Sequence, residues 1–200
     1  MKQFFTSRGY VDGDVLVNRN NESLNLARLP PFVRTLLVTD GTVTKNIEAF
    51  FWEPIVVDVL WQERIILHEA KPLIDAAAGE QVLKRIVQLR GEKTRAVYAY
   101  ATSFLKTDLL PGELTQQLLD GQIGIGEILR EVGLETYREI MDFGVETASD
   151  NEDQGNGDFR HDDAIYRTYR IVAGGKPVMQ ITECFPCKQY GVELGALSGD

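Results

Sequence analysis

Near the end of the chain, two β-type runs at residues 164–171 and 177–185 flank the pair Gly174-Gly175. Glycines supply the positive φ angles that a tight reversal needs, so this stretch reads as an antiparallel hairpin. A second hairpin is indicated upstream. There, the β-type runs 82–89 and 95–104 are separated by Arg90-Gly91-Glu92-Lys93-Thr94, which has the Gly and polar content of a turn. Residues 54–67 are rich in Val and Ile and read as another strand, and 135–143 as one more.

The remaining apolar residues have helical spacing. Phe32, Leu36 and Leu37 follow Pro30-Pro31, a suitable helix start. Ile47, Phe50 and Phe51 line one side of a second helix, with Thr44 as its expected N-cap. Leu114, Leu118 and Leu119 line a third, which opens after Pro111-Gly112 and stops at Gly121. A short fourth covers 127–132. Antiparallel hairpins with segregated helices point to an α+β fold, an antiparallel sheet with helices on it, rather than a parallel wound sheet. A single domain over 1–200 is expected, long enough to enclose a small ligand. Residues 1–30 read as an irregular, Asn-rich lead-in. The acidic stretch at about 147–163 is nearly devoid of apolar residues and reads as a mobile loop.

Charge narrows the partners. Lys and Arg number 21 against 30 Asp and Glu, a net charge of −9, and no basic block occurs. Such a surface repels phosphate backbones and anionic membranes, so nucleic acid is not an expected partner. No apolar run reaches the ~20 residues of a membrane span, and the start Met1-Lys2-Gln3-Phe4-Phe5-Thr6 lacks the apolar region of a signal peptide; a cytoplasmic location is expected.

Metal and nucleotide motifs fail on context. Cys184 and Cys187 form a lone C-x-x-C, half a zinc site, and His68 and His161 stand at no metal-like spacing. Cys184 reads as a strand residue and Cys187 as a tail residue. The acidic loop lacks the spacing of a calcium loop. Gly121-Gln122-Ile123-Gly124-Ile125-Gly126 follows a helix rather than a strand and lacks a G-K-[ST] ending. Its glycines still allow close backbone approach to a ligand. No metal and no cofactor are expected. Two charged positions in β-type runs stay open. Glu183 sits in an otherwise mostly apolar run and, on pattern alone, faces outward as most carboxylates do. Strand alternation sends Lys84 and Arg85 to opposite faces, and the pattern does not choose between them.

The order of these segments resembles the chorismate pyruvate-lyase family, especially its longer bacterial branch that makes 4-hydroxybenzoate. The likeness runs over about residues 36–186. It is carried by Leu36-Leu37 through Asp40, Thr42-Val43-Thr44-Lys45 with Glu48, Leu83-Lys84-Arg85 with Leu89 and Gly91, and Ala101-Thr102-Ser103-Phe104-Leu105. Leu110-Pro111, Gly124-Ile125-Gly126 and Glu135 to Glu139 follow in the family's order. The closing hairpin from Tyr169 through Thr182-Glu183 is the most specific part. The resemblance implies a cofactor-free lyase, a monomer with chorismate as its small-molecule partner. It implies that Arg85 binds a substrate carboxylate and Glu183 meets the ring hydroxyl. Val43, Ile125, Gly126, Arg138 and Thr182 would complete the substrate contacts, the first two through backbone amides. Related folds also serve as effector domains of transcription regulators, which leaves a non-catalytic binding module, or a lyase acting on another chorismate-like acid, as alternatives. Residues 1–30 show too little helical pattern or basic charge for a DNA-binding segment.

Overall fold

The computed structural model describes residues 15–18, 20–120, 124–147 and 162–196. The lead-in is more regular than its composition suggests. β1 (Val15–Val17) and β2 (Ser23–Asn25) form a small antiparallel hairpin. The Asn18 side chain organises its turn, with Oδ1 accepting from the backbone N–H groups of Asn20 and Glu22. Asparagine is a turn former that bonds its own neighbouring backbone, so an Asn-rich segment can be ordered without an apolar pattern.

Two helices follow, α1 (Pro31–Val38) and α2 (Val43–Phe51). The N-cap of α2 is Thr42, not Thr44: the Thr42 carbonyl accepts from Lys45 and Asn46, which places Val43 in the first turn with its side chain buried. The main sheet consists of two three-stranded meanders. One is β3 (Ile55–Ile66), β4 (Gln81–Gly91) and β5 (Val97–Leu105). Between the meanders run α3 (Gly112–Asp120) and α4 (Ile125–Glu131). The second meander is β6 (Thr136–Glu146), β7 (Ala164–Ala173) and β8 (Lys176–Pro186), and α5 (Cys187–Tyr190) follows it.

The meanders meet at β5 and β8, giving the order β3-β4-β5-β8-β7-β6 with every neighbouring pair antiparallel. The fold is therefore α+β. Both expected hairpins are present, and Gly174 and Gly175 take φ of +56° and +76° at the second turn. In the first hairpin the reversal lies two residues later than Arg90 to Thr94: β4 runs on to Gly91, and Arg95 takes φ +62° before β5 begins at Val97. The short fourth helix starts at Ile125 rather than Glu127, with Gly124 as N-cap. Cys187 is not a tail residue. It opens α5, is buried, and its thiol is pushed up to about 11 by that burial. The acidic loop lies mostly outside the described residues, as does the stop at Gly121. Among the described residues no helix is long and apolar enough to cross a membrane.

Alternation along the strands decides where the core closes and where it does not. On β4, Leu83 and Leu89 lie on the same face because they are an even number of positions apart. Leu89 packs with Ala99, Ile165 and Phe185 under Val33, Leu36, Leu37 and Ile47 of α1 and α2. Leu83 packs with Leu105, Ile171 and Met179 under Leu114, Leu118, Ile128 and Leu129 of α3 and α4. Each fully buried leucine contributes about 1.5–3 kcal/mol of transfer free energy, and each helix pair is anchored on its own apolar cluster. Between them the same sheet face carries Arg85 and Val87 on β4 and Glu183 on β8. A seam between two apolar clusters is left for polar side chains.

Candidate active site

The sheet register sets the floor of that seam. One cross-strand row runs Arg85, Ser103, Ile181, Tyr169; the next runs Val87, Ala101, Glu183, Arg167. Strands lie about 4.8 Å apart, so β4 and β8 are roughly 10 Å apart across β5. On β5 the intervening residues are Ala101 and Ser103, small enough to leave space above them. The result is a cavity of about 260 Å³ lined by Arg85, Ala101, Ser103, Ile181 and Glu183 below and by the first turns of α2 and α4 above.

Arg85 and Lys84 take opposite faces, as alternation requires. Lys84 points to the other side of the sheet, its Nζ 5.3 Å from the Trp61 ring centre and 5.9 Å from that of Phe104. Arg85 lines the cavity and is only 1% exposed. Burial pulls its guanidinium down to about 10, which leaves it a cation near neutrality. A desolvated guanidinium is a strong, fork-shaped receptor for a carboxylate.

Glu183 also faces inward, against the ordinary expectation for a carboxylate in a strand. Its Oε2 accepts from Arg167 Nε at 2.8 Å and its Oε1 from the Tyr169 hydroxyl at 3.1 Å. Burial, and then the charge of Glu183, push the Tyr169 phenol well above its ordinary range, so it stays a donor. Arg167 lies 5.0 Å from the Tyr169 ring centre.

The roof is polar as well. Val43 and Ile125 stand at the first positions of α2 and α4, neither of which has a side-chain N-cap bond, and both border the cavity. Gly126 packs closely beside both groups: a Cβ there would lie in ordinary contact, 3.4 Å from Thr42 Oγ1 and 3.5 Å from Arg138 Nη2. Arg138 donates through Nη1 to the Asp40 carbonyl, while its Nε is buried with no hydrogen-bond partner among the described residues. Arg130 donates to Thr42 Oγ1. The nearby Glu48 is already engaged, by Lys45 at 2.7 Å and by the Ile55 N–H. Cationic groups and backbone amides therefore surround a space whose one deep carboxylate is Glu183, an arrangement suited to a small organic anion that also carries a hydroxyl.

Of the residues singled out from the sequence, Arg85, Glu183, Val43, Ile125, Gly126 and Arg138 converge on this cavity. Thr182 does not. It lies on the opposite face of β8, where its hydroxyl is 2.8 Å from that of Thr168; being adjacent to an inward Glu183, it must point away. Arg167 and Tyr169 were not anticipated. Their signal was the alternation Ile165, Arg167, Tyr169, Ile171 on one strand face, two polar-tipped residues between two apolar ones. Among the described residues no group of His, Cys, Asp or Glu is arranged to hold a metal ion.

A family model described as "Chorismate pyruvate-lyase Rv2949c-like" matches residues 37–191. A chorismate pyruvate-lyase from Mycobacterium leprae is 31% identical over 171 residues, 85% of this chain and 81% of that one. One from Mycobacterium tuberculosis is 24% identical over 159 residues, 76% of this chain and 78% of that one. Among solved structures, the effector domain of PhnF from Mycobacterium smegmatis is similar in fold. It has a TM-score of 0.52 at 13% identity, covering 74% of this chain and 90% of that one.

Proposed function

The chain belongs to the Rv2949c-like chorismate pyruvate-lyase family, and from that premise we propose that it eliminates pyruvate from chorismate to leave 4-hydroxybenzoate. The observation that carries the reading is the opposition of buried Arg85 and buried Glu183 across the small floor residues Ala101 and Ser103. Chorismate is a cyclohexadiene with a ring carboxylate, a ring hydroxyl and an enolpyruvyl ether carrying a second carboxylate. Arg85 takes the ring carboxylate through its two-pronged donor face. Glu183, fixed by Arg167 and Tyr169, accepts from the ring hydroxyl at the other end. Arg138 and the amides of Val43 and Ile125 face the enolpyruvyl carboxylate from the roof.

Elimination breaks the ether C–O bond and removes the hydrogen from the ring carbon that bears the hydroxyl. The electrons of that C–H bond complete the aromatic ring, the ether electrons leave with the enolpyruvyl oxygen, and a proton on its methylene carbon gives pyruvate. Gain of aromaticity drives the step, so orientation and exclusion of water are the main demands on the protein. A cavity beneath the starts of α2 and α4, with fixed charges at both ends of the ring, serves the orientation.

The test is direct. Purified protein is incubated with chorismate, and 4-hydroxybenzoate and pyruvate are followed by chromatography. Equimolar appearance of both, abolished in Arg85→Ala, is the expected result. Tight binding of chorismate without turnover would overturn the lyase reading in favour of a ligand-binding role.

A further inference from the structure

Arg167 is not part of the cavity wall, yet it is wholly buried and stands directly opposite Glu183 in the β7–β8 register. A buried ion pair is a weak source of stability, because an apolar pair of similar volume generally serves the fold as well. Its place beside a cavity calls for another role. The guanidinium has two attachments: Nε donates to Glu183 Oε2 at 2.8 Å, and Nη1 donates to the Thr39 carbonyl at 2.7 Å, with the Leu37 carbonyl at 3.4 Å. Thr39 follows α1 and leads through Gly41 and Thr42 to Val43, the first residue of α2. One rigid planar group thus joins the carboxylate on the floor to the segment that ends at the roof.

We infer that Arg167 is a positioning residue, which fixes Glu183 relative to the segment 39–43 and so sets the span across which a substrate hydroxyl is held. The inference rests on the lyase reading. Glu183 has about four acceptor sites, of which Arg167 and Tyr169 take two. The others keep a constant direction only while both anchors hold. Lysine cannot substitute, because an ammonium on a flexible stem lacks the fork that reaches Glu183 and Thr39 together.

The experiment compares wild type, Arg167→Lys, Glu183→Gln and the double variant Arg167→Gln/Glu183→Gln. Steady-state kinetics with chorismate and thermal melting are measured, with a crystal structure of Arg167→Lys. The expected kcat of Arg167→Lys is about 10–100-fold below wild type with KM changed by no more than about threefold, since a displaced group costs rate more than affinity. The double variant should be within about threefold of Glu183→Gln, because Arg167 acts through a group already altered. Wild-type kcat in Arg167→Lys accompanied by a lower Tm, or fully additive losses in the double variant, would overturn the inference. Should Arg167→Lys not fold, the double variant, which removes both buried charges together, still decides through its comparison with Glu183→Gln. A wild-type protein that fails to convert chorismate removes the lyase reading alone. The crystal structure then decides the inference: Glu183 and the segment 39–43 unmoved in Arg167→Lys overturns it, and their displacement supports it.

Discussion

Glu53 and Glu183 are carboxylates hidden to the same degree, 6% and 7% exposed, and the fold treats them differently. Glu53 lies just before β3 and accepts four hydrogen bonds: from the Tyr98 hydroxyl at 2.6 Å, the Thr94 hydroxyl at 2.7 Å, and the backbone N–H groups of Lys93 and Thr94 at 3.0 and 3.1 Å. The two hydroxyls, foremost that of Tyr98, hold it down to about 2. No capacity is left for a ligand, and the carboxylate serves as the centre around which the β4–β5 reversal closes. Glu183 accepts from two side chains among the described residues and presents its remaining capacity to a cavity. Satisfying every lone pair makes a brace, whereas satisfying half of them and aiming the rest makes a receptor.

The comparison can be broken most sharply by exchanging each acid for its amide. Glu183→Gln is expected to lower kcat for chorismate by about 10²–10⁴, the usual scale for a group that handles a proton or hydroxyl in the reaction. Glu53→Gln should leave kcat unchanged and lower Tm, because its amide nitrogen would face backbone donors. Comparable activity losses in both variants, measured in one assay, would erase the distinction.

At the opposite end of the cavity, Arg85 should lose its charge as pH rises through about 10. Free-enzyme ionisations appear in kcat/KM, so that ratio is expected to fall about tenfold per unit above this pH. A flat alkaline limb would show that the Arg85 guanidinium keeps its proton over this range. Gly91 tests the brace itself. A Cβ there would stand 2.4 Å from Glu53 Oε1 and 2.5 Å from Thr94 Oγ1. Gly91→Ala should therefore cost about 1–3 kcal/mol by denaturant unfolding, the usual range for overpacking, with kcat preserved.

The smallest effect is the acid dependence of Glu53. Its folded value of about 2 lies below the ordinary 4.5, so its stabilisation is complete above 4.5 and is lost as pH falls towards 2. The Tm difference between wild type and Glu53→Gln should accordingly narrow over that interval. A difference that stays constant to low pH would mean that the brace works through shape and not through charge.

Much of this molecule was legible in its residues. Val- and Ile-rich runs, glycine turns and three helical stripes were enough for an α+β fold with antiparallel hairpins, because period and turn chemistry are local properties. Arg85 and Glu183 were legible as candidates, through the family resemblance, but not as inward-facing groups. Alternation placed Lys84 and Arg85 on opposite faces without saying which face would be covered. That was decided by α1 to α4 packing over Leu83 and Leu89, which share the phase of Arg85.

The partnership of Arg167 with Glu183 belongs to the tertiary structure alone. Near the Gly174-Gly175 turn the pairs are Ala173 with Lys176 and Val172 with Pro177; continued unchanged, that register would set Tyr166 opposite Glu183. An irregularity between Ile171 and Val172 moves the pairing by one residue and brings Arg167 there instead. A one-residue shift exchanges the faces of everything beyond it, and such a shift is fixed by packing across the whole sheet rather than by the turn. The sequence by itself determined which groups the chain has to work with and which elements carry them. Only the assembled sheet decided which of those groups meet, since the free energy of burying Ile165, Phe185, Ile171 and Met179 selects the register.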